Sequence, residues 1–389
     1  MMDDRTRLIL LNLIPDIGSL RLTRLLASFG SLEAVWAASA TDLQQVEGIG
    51  PVLASRIVAT RLELWRAEEE QRLAREHGGM IVTLHDADYP AVLRHIPDPP
   101  LVLYLKGAWR PEDATAVAIV GSRHASLYGL QMAERLAAEL AVHGVTIVSG
   151  LARGIDAAAH RGALKAQGRT LAVLGGGLSR MYPPEHQELA DRITASGAVI
   201  SEYPMRMEPL AQNFPRRNRL ISGLSLGVVI VEATRRSGAL ITADCALEQG
   251  REVFAVPGHA DALSSQGTHW LLKQGARLVT SVEDILEELR LEPCETDVRR
   301  TLLETTTASS EQNELDGEEQ RLLQHMRSDE PQELDALALT SGLPAAVCAS
   351  ALLRLELKAR VQQLPGKRFV RRPLDSGPGL PRQARDSFD

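Results

Sequence analysis

The sequence predicts an α/β protein built on a doubly wound, mostly parallel sheet, and three observations predict it. Apolar runs of strand length alternate with amphipathic helical segments from Thr115 to about residue 290. Those runs are apolar on both faces, as strands covered by helices on each side require. Nearly every one ends in a glycine or a Gly/Ser/Arg cluster, and in open α/β sheets the ligand gathers beyond the carboxyl ends of the strands. The centre therefore reads as Rossmann-like.

The elements follow in order. AVAIVGS is a buried strand ending at Gly121-Ser122, and LYGLQMAERLAAELAVHG is a helix closed by Gly144. VTIVSG is the second strand, IDAAAHRGALKAQG its helix, TLAVLGGG the third strand and AVISEYP the fourth. LGVVIVEA, helical ALITADCALEQG and EVFAVPG continue the pattern, and HWLLKQGARLVTS with DILEELR closes it. Upstream, HGGMIVTL and Leu101–Leu105 predict short strands in a proline-rich stretch that favours sheet edges.

Residues 1–75 predict short helices forming a helix-hairpin-helix, SAM-like domain. VEGIGPVLASRI has the glycine spacing of that motif, and IPDIGSLRLTRLL is a degenerate copy with Asp16 in place of a glycine. Such turns open backbone N–H groups onto a helix N-terminus, a phosphate site; a purely packing role fits equally. Residues 76–292 then form the extended Rossmann-like domain, and residues 293–318, Thr/Ser/Glu-rich and aperiodic, an acidic flexible linker. Three helices and a hairpin over 319–372, turning at Leu364-Pro365-Gly366, predict a winged helix, and 373–389 a disordered tail.

Charge does not exclude a polyanion. The net charge is −7, but residues 115–260 hold 15 Lys/Arg against 12 Asp/Glu, while 283–319 hold 3 against 13. The acidity belongs mainly to the linker, and a local basic face can still bind phosphates. Cys245, Cys294 and Cys348 are far apart and form no CxxC pair, so neither a disulfide framework nor a metal site is expected. No apolar run approaches 18 residues and the N-terminus lacks a cleavage signal, so a cytoplasmic protein without membrane contact is expected.

GSRHAS, SGLARGID, GGGLSRMYP and EATRRSGALITA all fall at the carboxyl edge of the sheet. Glycine lets a backbone approach an anion, helix N-termini aim N–H groups at it, and arginine adds bidentate bonds. No GxGxxG follows the first strand and no GxxxxGK[ST] occurs, so neither a dinucleotide nor a P-loop site is expected. Glu202 with Glu232, or Asp156 with His160 at i, i+4, are the only candidate reaction groups, and structural pairing explains them as well. FPRRNRLISGL (Phe214 to Leu224) sets a ring beside Arg216, Arg217 and Arg219 in a chain with 4% aromatics. Read as an Arg-rich turn stiffened by Pro215, it suits single-stranded nucleic acid, held by stacking and backbone contact. The same arginines would alternatively pair with Glu202, Glu208 or Glu232.

AIVGSRHASLYG, VSGLARGIDAAAHRGAL, LAVLGGGLSRMYPPEH, ISEYPM, FPRRNRLISGLS, VVIVEATRRSGALITADCALEQGREVFAVPG and SQGTHWLLKQGA together span about 170 continuous residues. This run closely resembles the DNA-processing protein A (DprA/Smf) family. The resemblance implies a single-stranded DNA-binding protein of natural transformation that protects incoming strands and helps load the RecA recombinase. It also implies a homodimer through the Rossmann-like domain, no cofactor and no catalytic turnover. By motif, Gly121, Ser122, Arg123 and Gly150 would grip phosphates, and Phe214, Arg216, Arg217, Asn218 and Arg219 would line the strand, with Ser237 and Gly238 nearby. Trp270, Leu271 and Leu272 would lie at the dimer edge; His269-Trp270 stand where the family more often has Asn and a smaller apolar residue.

The rival reading is a phosphoribohydrolase-like enzyme acting on nucleotides. Those enzymes carry a PGGxGTxxE loop, whereas EATRRSGALITA lacks the acid after its glycines. The third helix of the winged helix, PAAVCASALLRLELKA, has only Arg354 and Lys358 as cations, which suits protein docking better than base readout.

Overall fold

Each apolar run between Ala116 and Ala255 is a strand in the computed structural model, which describes residues 2–291, 316–327, 331–357, 360–364 and 368–371. Cys294, most of the 293–318 linker, the Pro365-Gly366 turn, Lys358 and the 373–389 tail lie outside the described residues. The chain divides into two compact units at Glu295/Thr296.

The first unit opens with six helices: α1 (Asp4–Asn12), α2 (Ser19–Phe29), α3 (Leu32–Ala37), α4 (Ala40–Leu43), α5 (Pro51–Thr60) and α6 (Leu64–Glu76). The degenerate hairpin keeps its backbone shape. Asp16 takes φ +70° where Gly48 of the second hairpin takes φ +84°, and Gly18 and Gly50 are the matching N-caps of α2 and α5. Aspartate is among the few residues that tolerate the left-handed region. Arg21 Nε donates to Gly48 O at 3.0 Å and Arg24 Nη1 to Glu47 O at 3.2 Å, so the first hairpin's helix clamps the second hairpin's turn.

The nine-stranded sheet comprises β1 (Gly79–Thr83), β2 (Val102–Gly107), β3 (Ala116–Val120), β4 (Thr146–Ser149), β5 (Thr170–Val173), β6 (Ala198–Ser201), β7 (Gly227–Ile230), β8 (Glu252–Ala255) and β9 (Arg277–Leu278). Its order is β1-β2-β6-β5-β4-β3-β7-β8-β9. Strands β3 to β9 pair in parallel, and the proline-flanked β1 and β2 add an antiparallel edge. The intervening helices are α7 (Ala91–Arg94), α8 (Leu127–Val142), α9 (Ile155–Lys165), α10 (Gln187–Ser196), α11 (Asn213–Gly223), α12 (Gly238–Glu248), α13 (Gln266–Lys273) and α14 (Val282–Glu288). One core joins β3, β4 and β7 to α8, α9 and α14 through Val117, Leu136, Ala158, Val229 and Ile285. Another holds α11 and α12 through Leu220, Ile221, Ala243 and Ala246. The N-terminal helices share a third with the sheet, where Leu8, Leu11 and Leu73 pack with Tyr104 and Val199.

One sequence reading is corrected here. FPRRNRLISGL is not a turn: Asn213–Gly223 is helix α11. Pro215 sits in its first turn, where the missing N–H costs no hydrogen bond. Leu271 is 3% exposed and belongs to the core beside the sheet.

In the second unit α15 (Gly317–His325), α16 (Leu334–Ser341) and α17 (Ala345–Leu357) enclose a core of Leu322, Leu337, Leu352 and Leu355. Gly342, at φ +66°, ends α16 in the left-handed conformation that lets the next helix turn away. The sheet β10-β12-β11 joins β10 (Gln332–Glu333), too short to have been read from sequence, to the antiparallel pair β11 (Val361–Leu364) and β12 (Arg368–Arg371). Arg354 of α17 is held by Asp316, Glu318 and Glu319, so this cation already has partners within the unit. Among the described residues no single helix is long and apolar enough to cross a membrane.

Candidate nucleic-acid interface

The strand order reverses direction at β3, which has β4 on one side and β7 on the other, and a cleft of about 610 Å³ opens there. This is the switch point where α/β sheets place ligands. Gly121 ends β3 so tightly that a Cβ would stand 2.7 Å from Ile155 Cγ1 and 2.9 Å from Glu232 O. Ser122 N donates to Glu232 O at 2.8 Å, and Ile155 N donates to Ser122 O at 3.2 Å. Hydrogen bonds to both neighbours thus fix the GSR loop.

A buried charge stands at the back of the cleft. Arg217, 3% exposed, donates through Nη1 to Val173 O at 2.6 Å, while its Nε has no partner among the described residues. Burial pushes its pKa down to about 10, opposed by the nearby Asp156 carboxylate. The group therefore stays a cation at neutral pH. Asp156, at the start of α9, accepts from Gly150 N at 3.1 Å and Ala152 N at 3.4 Å. Burial raises its pKa, partly offset by Arg217 and these two amides. It serves as both loop anchor and counter-charge.

The mouth of the cleft is aromatic and cationic. The Arg123 guanidinium lies 5.1 Å from the centroid of Phe214, and Tyr182 packs against the same ring at 5.7 Å with a 55° tilt. Phe214 is seated on Gly175, where a Cβ would fall 2.9 Å from its ring. Opposite, Ser237 N-caps α12 through Ala239 N, and Asn218 Nδ2 donates to Gly238 O at 3.2 Å. Gly238 faces open space. A ring, forked donors and an accessible helix N-terminus suit a phosphate with a base attached.

Gly121, Ser122, Arg123, Phe214, Arg217, Asn218, Ser237 and Gly238 line this one cleft. Gly150 stands behind Arg217, not on the cleft surface. Arg216 and Arg219 turn instead to a second pocket of about 220 Å³ beside the first hairpin. Arg216 is exposed, whereas Arg219 is committed inside the protein: Nε bonds Asp98 at 3.1 Å and Nη2 bonds Glu202 at 2.5 Å. Despite burial, those two carboxylates hold the Arg219 pKa up. Of the three arginines of this helix, Arg217 alone lines the first cleft.

The candidate reaction groups already have partners within the protein. Glu232 accepts from Ser126 N at 2.9 Å and Ser126 Oγ at 2.5 Å, holding the N-cap residue of α8, while Glu202 pairs with Arg219. His160 is fully buried, bonded to Thr170 Oγ1 at 2.7 Å, and burial pushes its pKa down to about 3. Asp156 is the one carboxylate lining the cleft. Tyr182 was missed from sequence; its signal was GGGLSRMYP, already placed at the sheet edge, where the only aromatic residue is this one.

The family model described as DNA recombination-mediator protein A matches residues 80–290, a DprA winged helix domain matches 306–367, and a helix-hairpin-helix motif matches 8–65. Protein Smf of Escherichia coli is 44% identical over 279 residues, 72% of this chain and 74% of that protein. DNA processing protein DprA of Bacillus subtilis is 44% identical over 216 residues, 55% of this chain and 73% of that one. The crystal structure of DNA processing protein A from Streptococcus pneumoniae superposes with a TM-score of 0.64 at 33% identity, covering 74% of this chain and 99% of that one.

Proposed function

This chain belongs to the DNA recombination-mediator protein A family, and from that premise we propose that it binds single-stranded DNA in natural transformation, protects incoming strands and helps load RecA for recombination. One observation carries the DNA reading: Arg123 lies over Phe214 at the mouth of a cleft whose back wall is the buried cation Arg217. A stacked base and its phosphate would satisfy both ends, whereas the rigid stack of a duplex offers no free base to the ring.

The protein acts by binding and not by turnover. Each carboxylate considered as a reaction group is already engaged by amides, a serine or an arginine. We further read it as a cytoplasmic homodimer formed through the Rossmann-like domain. Exposed Leu247, Leu263 and Leu278, the last of them on the short edge strand β9, support that reading. We propose domain limits of 1–75, 76–292 and 319–372, the first two lying within one compact unit.

The test is competition between oligothymidylate and duplex DNA of equal length, at several salt concentrations. The single strand should win throughout, and its affinity should fall with salt as phosphate contacts require. Equal affinity for both, or release of free base from nucleoside monophosphates, would overturn the reading.

A further inference from the structure

Beside the Phe214 ring lies a second aromatic face at the mouth of the cleft. Tyr182 lines the cleft, packs on Phe214 with ring centroids 5.7 Å apart and a 55° tilt, and is 38% exposed. Phe214 is only partly exposed and already carries the Arg123 guanidinium. Of the two rings, Tyr182 is the more open.

Three observations point to a strand at this ring. First, the loop that carries it is anchored: Leu178 and Pro183 are buried, Met181 packs against the core, and His186 Nδ1 donates to Leu151 O at 2.8 Å. A ring held in advance loses little freedom on binding. Second, a cation stands next to it. Arg153 lies against the Tyr182 hydroxyl and pairs through Nε with Glu185 at 2.5 Å. Both members of that pair are about half exposed, and such a pair holds its partners weakly, so a phosphate can take the place of Glu185. Third, the Arg153 loop abuts the GSR loop. Gly154, at φ +76°, sits so close that a Cβ would stand 2.2 Å from Ser122 O. Arg123 and Arg153 therefore stand on adjoining loops, one against Phe214 and the other against Tyr182. The neighbouring pocket along α11 is acidic by comparison, with Asp16, Asp98 and Glu202 against Arg216 and Arg219.

We propose that Tyr182 and Arg153 form the next subsite of the bound strand, Tyr182 stacking the base adjacent to the one at Phe214 and Arg153 binding its phosphate. The tilt between the rings splays successive bases apart, which a flexible single strand can follow and a stacked duplex cannot. Glu185 is the counter-charge of Arg153 until a phosphate replaces it. This inference rests on the single-strand reading above.

The test uses the full chain with an oligothymidylate of ~16 nucleotides and an abasic strand of the same length. Tyr182→Leu should weaken oligothymidylate about 10-fold, the effect of losing one stacked base, while Tyr182→Phe, which keeps the ring, stays within about twofold of wild type. On the abasic strand wild type and Tyr182→Leu should bind alike, because only a base can stack. Arg153→Gln should flatten the log–log salt slope by about 0.7, one phosphate contact on a single strand. Glu185→Gln, which frees Arg153, should tighten binding about threefold. A Tyr182→Leu chain that binds oligothymidylate like wild type, or that loses as much on the abasic strand, would overturn the subsite. An unchanged salt slope in Arg153→Gln would do the same. Either result leaves the cleft reading in place if Arg123→Ala still weakens binding. A wild-type chain that binds no single strand would remove the underlying reading and the subsite with it.

Discussion

Gly150 and Arg217 are packed so closely that a Cβ on Gly150 would stand 1.9 Å from the Arg217 guanidinium. The glycine therefore sets the position of the cation at the back of the cleft. Gly150→Ala should push Arg217 out of line, weakening single-strand binding about 10-fold and destabilising the fold by about 1–3 kcal/mol, the usual cost of overpacking. Fluorescence anisotropy with a labelled oligonucleotide and thermal denaturation check the two parts.

Arg219 holds Glu202 in an ion pair that is about 85% buried on both sides, with side-chain exposures of 16% and 13%. Removing one partner strands the other charge. Arg219→Ala should cost about 3–5 kcal/mol, read as a shift of the urea midpoint, while the folded fraction still binds DNA. Loss of binding without loss of stability would return Arg219 to the DNA path.

His160 gives stability a pH dependence with a defined sign. Its folded pKa, pushed down by burial to about 3, lies below the ordinary 6.5. The unfolded chain therefore binds a proton that the folded chain refuses. Its contribution is fully present above pH 6.5 and declines as pH falls, by up to about 1.4 kcal/mol per unit. His160→Gln removes this dependence, so the stability gap between wild type and variant should narrow from pH 7 to pH 5. Urea titrations at the two pH values measure it.

The winged helix should be dispensable for DNA affinity. Arg354 is engaged by Asp316, Glu318 and Glu319, and the exposed positions of α17, such as Ala346, Ala349 and Leu353, carry no charge. A chain ending at residue 295, which retains one whole compact unit, should bind single strands within about twofold of the full chain. A collapse of affinity would place DNA on the second unit.

The sheet was legible because a strand buried on both faces leaves an uninterrupted apolar run, as in AVAIV and GVVI. Most of the cleft was legible too, because Gly, Ser and Arg cluster where those runs end. Helix α11 was misread because Pro215 and three arginines look like turn chemistry, although proline is tolerated in a first helical turn. Arg219's commitment was hidden for another reason. Its partner Asp98 lies 121 residues away, and no local pattern reports a contact at that distance. Asp16 shows the converse, since a residue read as a defect in the first hairpin has the φ of the glycine it replaces.

The most direct test of the cleft as a single-strand site is the salt dependence of binding by an Arg123→Ala/Phe214→Leu variant with a normal melting profile. Arg123 supplies a charge and Phe214 a stacking face, and neither is fully buried. The variant should bind oligothymidylate at least about 10-fold more weakly, with a log–log salt slope flatter by about 0.7, the value for one lost phosphate contact on a single strand. An unchanged affinity and an unchanged slope in the folded variant would contradict the assignment of this cleft to DNA.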